Sequence, residues 1–388
     1  MPSAKANRVF FIIVFSQFCG TSLWFATNAV LPQLQSLYNW QPTSLGYLTS
    51  AVQLGFIAGT LLFALSGITD KISPSKIFFF SSLVAASCNM LVLFDASSFG
   101  LALVSRALTG FFLAGIYPVG MKIAADWNEQ GLGNWLGALV GALVLGTAFP
   151  QGLKLFPQFI EPGVLIVAVS ILAVAGGLSM YLLVKDGPYR KPAAHFSFSE
   201  IRTVFKSPEF RAPAFGYFGH MWELYAFWAF VPWGVNFYLK LNFSYDLHLP
   251  LYAFLIIGAG ALGCFIGGQL STKLGSKRVA QTALISSGIC CLLSPWIWSL
   301  SPMFFLTFMI FWGLMAAADS PQFSALVAAS APASVRGSAI TITICIGFAI
   351  SIVTIQLLAF MQSFITPEYL FLLLAPGPII GVLLLNRN

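Results

Sequence analysis

Charge is what these 388 residues have least of: Lys, Arg, Asp and Glu together make up 8% of the chain. A water-soluble domain carries about 25%, so most of this surface faces something other than water. The three histidines, His195, His220 and His248, are scattered, and the metalloprotease pattern H-E-x-x-H is missing. The six cysteines fall inside apolar runs without metal-type spacing, apart from the adjacent Cys290 and Cys291, which excludes a disulfide frame and leaves them as small packing residues. A phosphate-cradling G-x-x-x-x-G-K-[ST] loop is missing too, which argues against ATP drive. With no nucleophile set, metal set or sizeable polar segment, the sequence predicts neither an enzyme nor a receptor with a soluble domain. It implies no catalytic residue, metal or cofactor.

What fills the chain is hydrophobic sequence: 58% of it, with a mean hydropathy of +0.86. Apolar runs long enough to cross a bilayer cover 9–32, 44–67, 76–95, 98–125, 132–156, 162–184, 212–239, 250–271, 278–299, 302–329, 338–362 and 367–386. Each meets the requirement of about 20 residues per helical span, and backbone in lipid must bond to itself. Barrel strands would be about 10 residues long and alternating. The reading is therefore an all-α integral membrane protein of twelve transmembrane helices, its only solvent partners being the lipid bilayer and a small-molecule substrate. The start, Lys5 and Arg8 before Phe10–Phe18, has the look of a signal peptide, but it lacks a small-residue cleavage site and is read as the first span.

The net charge of +7 reflects topology rather than nucleic-acid binding. With the N-terminus inside, fifteen of the nineteen basic residues lie on the cytoplasmic side; only Lys154 and Lys240 lie outside, and Arg106 and Lys122 lie within the fourth span. By the positive-inside rule both termini are cytoplasmic, in the inner membrane if the source is bacterial. The longest polar stretch, within 185–211, is a basic linker with Pro188, Pro192 and Pro208, suited to anionic headgroups.

The second six runs repeat the first six. Phe18, Ala26, Ala29 and Pro32 recur 200 residues on as Phe218, Ala226, Ala229 and Pro232; Gly110 and Pro118 recur 203 on as Gly313 and Pro321. The expected organisation is a six-helix bundle over 1–184, the linker 185–211, and a second bundle over 212–388. A pseudo-two-fold axis along the membrane normal would relate the bundles, with a ligand held in the cleft between them. Matched prolines Pro118 and Pro321, with Pro150 and Pro232, predict bends.

Two short loops carry the same pattern. Between spans 2 and 3 stand Ser66, Asp70, Lys71, Ser73 and Lys76; between spans 8 and 9 stand Gly268, Thr272, Lys273, Gly275, Lys277 and Arg278. Together they resemble the G-x-x-x-D-[RK]-x-G-[RK]-[RK] loop of the major facilitator superfamily, each copy degenerate at different positions. Arg106 followed by Gly110 looks like that family's R-x-x-x-G motif, whereas Gly141 followed by Ala142 departs from the antiporter pattern. The resemblance implies the two-bundle fold and alternating access, with Asp70, Lys71, Lys273, Gly275 and Lys277 as gating-loop residues. Asp126 and Glu129 are the expected partners of Lys71 and Lys76.

Charges inside a membrane cost about 2.5–3.5 kcal/mol each on insertion scales and mark function or mutual pairing. Arg106, Lys122, Glu223 and Asp319 qualify, with His220 one turn before Glu223. Lys122 lies near the inner end, where it would snorkel. A carboxyl at mid-depth suits proton transfer, so Glu223 with His220 is the expected proton-coupling pair. Arg106 would hold a negatively charged group. Trp24, Asn28, Tyr117, Asp319 and Gln322, with Gln53 behind them, complete an aromatic pocket with few polar anchors. The sequence thus predicts a monomeric secondary transporter performing proton-coupled symport of a small anionic or zwitterionic solute, with the proton gradient, or sodium in its place, as energy source. The alternative is proton-driven efflux of amphipathic or cationic compounds through Glu223 and Asp319.

Overall fold

The computed structural model describes residues 4–128, 132–190, 202–242, 248–332 and 334–387. Glu129, His195 and the linker residues 191–201 lie outside them. Eleven spans are long and apolar enough to cross a membrane: α1 (Ala6–Tyr38), α2 (Ser44–Ser66), α3 (Pro74–Leu93), α4 (Phe99–Trp127), α5 (Trp135–Leu153), α6 (Pro162–Leu183), α8 (Leu249–Leu274), α9 (Ser276–Ser299), α10 (Pro302–Ser330), α11 (Arg336–Met361) and α12 (Pro367–Leu385). The twelfth, α7 (Pro208–Leu241), has 34 residues, about 51 Å at 1.5 Å per residue. It is less apolar because it carries His220, Glu223 and a run of tyrosines and tryptophans.

Helix pairing repeats six helices on. In the first half α1 packs on α5 and α6, α2 on α4, and α3 on α4 and α6. In the second half α7 packs on α11 and α12, α8 on α10, and α9 on α10 and α12. Lipid gives no hydrophobic drive for helices to associate, so close backbone approach at small residues has to supply the contact. Gly110 of α4 abuts the Val52 carbonyl of α2, and Gly313 of α10 abuts the Ile256 carbonyl of α8; a Cβ would sit 2.0 Å from the oxygen in both. The halves meet along α5 with α8, and α2 with α11. At Gly137 and Gly141 of α5 the room is larger, with the Cys264 and Ala261 carbonyls 3.0 Å from a Cβ.

Three spans are broken near mid-depth. Helix α1 turns at 22–25 between Ala4–Thr21 and Ala26–Tyr38. Helix α4 breaks after Leu113, and α10 breaks at Asp319. Pro118 and Pro321 stand just beyond the latter two breaks, where each removes the donor for a carbonyl four residues back. The Cys264 thiol donates to the freed Ala317 carbonyl at 3.1 Å. Helices α5 and α7 continue through Pro150 and Pro232. Gly67 (φ 58°) and Gly275 (φ 83°) take the left-handed backbone that the tight α2–α3 and α8–α9 turns require.

Candidate functional site

Arg106 is wholly buried and bonded inside the first half. Its Nη1 donates to Asn89 Oδ1 of α3 at 2.9 Å, and its Nη2 donates to the carbonyls of Leu23 (3.0 Å) and Trp24 in the α1 break. A helix break exposes carbonyls that lack their usual i+4 donors; Ala26 N reaches the Leu23 carbonyl at 3.4 Å, and the guanidinium adds a shorter bond there and one to Trp24.

The second half holds a carboxylate at the corresponding junction. Glu223 of α7 is 1% exposed. Its Oε1 accepts from Trp312 Nε1 of α10 at 2.6 Å and from the Cys291 thiol at 3.4 Å, and its Oε2 accepts from Ser287 of α9 at 2.8 Å. All three donors are neutral, and among the described residues no ion pair reaches Glu223. His220 turns instead to Asp319, Nδ1 to Oδ1 at 2.8 Å, with both side chains sealed from solvent at the α10 break. The sequence places His220 one turn from Glu223, but the tertiary partner lies across the interface with α10.

Between the halves lies an aromatic layer. Trp24 stacks on Phe348 of α11 (centroids 5.7 Å, 25°) and meets Phe56 of α2 at 4.9 Å and Tyr225 of α7 at 5.7 Å. Beside it is a narrow space of about 20 Å³, bordered by Tyr117, Val140, Val144, Tyr217, Trp228 and Ser320 among others. That volume holds about one water, so the halves are closed on each other. Tyr117 borders this space. His220 and Asp319 lie next to its lining residues Met221 and Ser320, and Gln322, 2% exposed, sits against α8 near Gly267.

Several buried polar groups around the layer are uncharged. Asn28 donates to Thr49 Oγ1 at 2.7 Å, leaving its Oδ1 free. Gln53, Gln151 Oε1, Trp24 Nε1 and Trp228 Nε1 likewise have no hydrogen-bond partner among the described residues. Gln151 and Trp228 escape a reading based on charge; the signal available for Gln151 is Thr147 one turn before it in an apolar helix.

At the end of the bundle that carries the termini, Asp70 of the α2–α3 turn pairs with Lys122 of α4 at 3.7 Å. Arg190, beyond α6, donates to the carbonyls of Asp70 (3.0 Å) and Ile72 (3.1 Å) and pairs with Asp186, which also accepts from Ser73 at 2.5 Å. Lys71 donates to the Ser66 carbonyl at 3.0 Å. Asp126 is 6% exposed, and its carbonyl accepts from Tyr189 N. Among the described residues the α2–α3 turn is therefore tied to Lys122 and Arg190, and no ion pair joins Lys71 or Lys76 to Asp126. In the α8–α9 turn Lys273, Gly275 and Lys277 are exposed.

A family model described as Major Facilitator Superfamily matches residues 13–355, most of the chain. Among solved structures, that of the human organic anion transporter MFSD10 (TETRAN) covers 100% of this chain and 100% of its own, with a TM-score of 0.74 at 15% sequence identity. At that identity the likeness is one of fold.

Proposed function

Since this chain belongs to the Major Facilitator Superfamily and is a multi-pass secondary transporter rather than an enzyme, we propose that it couples transport of a small organic solute to protons, with Glu223 as the proton carrier. The observation that carries this is the setting of Glu223: sealed, bonded to three neutral donors, with no ion pair. An uncompensated charge in a membrane interior is costly. The carboxyl therefore crosses neutral, with a proton taken up on one side and released on the other. Asp319, unlike Glu223, faces the imidazole of His220 at 2.8 Å, a partner that can share a proton with it. Substrate and proton move in the same direction, and the basic end of the bundle, with Lys71, Lys76 and Arg278, faces the cytoplasm.

Arg106 has a different part in this reading. The human relative carries organic anions, but here the guanidinium is spent on the α1 break and Asn89, so it is a positioning residue for α1. Efflux of cations through Asp319 gains no support either, since that carboxyl is sealed from solvent and turned to His220.

The test is uptake of a solute panel into proteoliposomes with and without an imposed pH gradient. Glu223→Gln keeps the size and most acceptor capacity but releases no proton. It should abolish accumulation and spare counterflow exchange, which never cycles an empty, deprotonated carrier. A Glu223→Gln protein that still concentrates solute in response to the gradient moves the proton site to His220 and Asp319.

A further inference from the structure

The buried ionisable side chains Arg106, Glu223 and Asp319 each meet polar partners inside their own half. Other side chains left over at the seam are neutral. On α2, Thr49, Gln53, Phe56 and Thr60 form one stripe at helical spacing. On one flank of it Val52, Gly55 and Gly59 meet α4; on the other Gly46 and Ser50 meet α11, Gln356 Nε2 donating to Ser50 Oγ at 2.8 Å. The stripe between them turns to α1 and the axis, as the Asn28–Thr49 bond and the Trp24–Phe56 contact require. On α5, Val140, Val144, Thr147 and Gln151 form a second stripe, whose first two members border the central space; Trp228 of α7 borders it too. Six groups on these faces are at least nine-tenths buried and lack a partner among the described residues: the indole N–H of Trp24 and Trp228, Asn28 Oδ1, the whole amide of Gln53, Thr60 Oγ1, and Gln151 Oε1.

Such orphaned groups are rare and call for an explanation. Donors and acceptors are mixed, none is ionised, and they ring a layer of aromatic faces. Of the cations nearby, Arg106 is engaged by the α1 break and Asn89, and Lys154 donates to the Ala29 carbonyl at 2.8 Å. We propose that the transported solute is an uncharged ring compound with donors and acceptors around its edge, held face-on by Trp24 and edge-on by Gln53, Asn28, Gln151 and Trp228. This rests on the transport reading above but not on proton coupling. It replaces the anionic or zwitterionic solute that Arg106 suggests from sequence. A site of buried hydrogen-bonding groups rejects ligands that leave those groups unpaired, by large factors. The unpartnered groups of the stripes offer an anion no cation and a cation no carboxylate, since Arg106 and Asp319 nearby are already engaged.

The experiment measures binding without any gradient, on the full-length protein in nanodiscs, as the ligand-induced rise in melting temperature. Four probes are used: D-glucose and uracil as uncharged rings, benzoate as an anion, tetraphenylphosphonium as a cation. One uncharged ring should raise Tm while both ions leave it unchanged, and glucose against uracil tells a hydroxylated ring from a flat heterocycle. Stabilisation by benzoate or tetraphenylphosphonium alone overturns the proposal. A second readout needs no ligand. Gln53→Leu removes an amide that has no protein partner, so the unliganded variant should melt at the wild-type temperature or a few degrees above it, while uptake falls at least tenfold. Gln151→Leu, nearer the helix end, should do the same. A clear fall in Tm for both variants shows the amides to be structural and sinks the idea. Neither readout uses a proton gradient, so the substrate class and the coupling by Glu223 fail or stand separately.

Discussion

The Nη2 nitrogen of Arg106 lies 3.0 Å from the carbonyl oxygen of Leu23, and the residue 200 positions beyond Leu23 is Glu223. The two halves thus place opposite charges at one junction. In the first, a cation on α4 reaches across to the carbonyls of a broken α1 and to Asn89 of α3. In the second, an anion on α7 receives donors from α10 and α9, and α7 is unbroken. The difference follows from hydrogen-bond accounting. A broken helix exposes carbonyls that need donors, which the guanidinium provides, whereas a carboxylate accepts only and needs donors from its neighbours. The first junction is held by a guanidinium that supports α1, while the junction around Glu223 is held by neutral donors alone.

Arg106→Ala is expected to destabilise the protein rather than to change its selectivity. It strands the Trp24 carbonyl and Asn89 Oδ1 in a dry interior and leaves the Leu23 carbonyl only a 3.4 Å bond from Ala26 N, at about 1–3 kcal/mol for each unsatisfied group. Arg106→Lys restores one donor direction but not the planar fork, so it should melt between wild type and the alanine variant. Thermal unfolding in detergent measures both. An alanine variant with wild-type Tm and lost binding would return Arg106 to the substrate site.

The His220–Asp319 contact gives a second expectation, about hinge integrity at the α10 break. Removing one member of a buried pair leaves the other uncompensated, typically at 3–5 kcal/mol, whereas replacing both with apolar residues is often neutral. His220→Leu and Asp319→Leu should each lower Tm strongly, and the double variant should recover much of the loss. Additive losses in the double-mutant cycle would mean that the two side chains do not pair.

The twelve helices, their repeat and the family were legible because lipid imposes long apolar runs and tandem halves preserve their spacing. The partners of the membrane charges were not. His220 and Glu223 share a helix face, but tertiary contact sends one to Asp319 and the other to Ser287 and Trp312. Arg106 reads as an anion site because a sequence does not show that α1 breaks at 22–25. Gln53 could be named from sequence as a polar residue in an apolar span, but Gln151 could not, because only the packing tells which polar side chains are left without a partner.

At the end bearing the termini, the Asp70–Lys122 pair ties the α2–α3 turn to α4. Both side chains are partly exposed, at 27% and 21%, so their net worth is of the order of 0–1 kcal/mol. That is small for stability but enough to shift a balance between two transporter conformations several-fold. Asp70→Lys should therefore alter transport rate with little change in Tm, and Asp70→Lys with Lys122→Asp should restore part of the rate. Failure of the swap to rescue, with both proteins folded, would assign the turn's role to Arg190 and its backbone contacts instead.

Lys154, just beyond α5, gives a prediction in pH. Burial holds its amine down to about 8 from the ordinary 10.5, and its Nζ donates to the Ala29 carbonyl at 2.8 Å. Between those two values the unfolded chain binds a proton that the folded protein does not, so stability rises with pH across that window. Below pH 8 both states hold the proton and the cost of burying the charge is felt in full; above 10.5 neither does. The neutral amine keeps its hydrogen bond to Ala29, so the pH dependence isolates the charge. Against Lys154→Met, which keeps the stem and removes the titration, wild-type Tm should gain steadily from pH 8 to pH 10 and run parallel between pH 6 and pH 7.5. A constant difference across the whole range would show that the amine titrates as an ordinary surface lysine and is not held in the seam between α1 and α5.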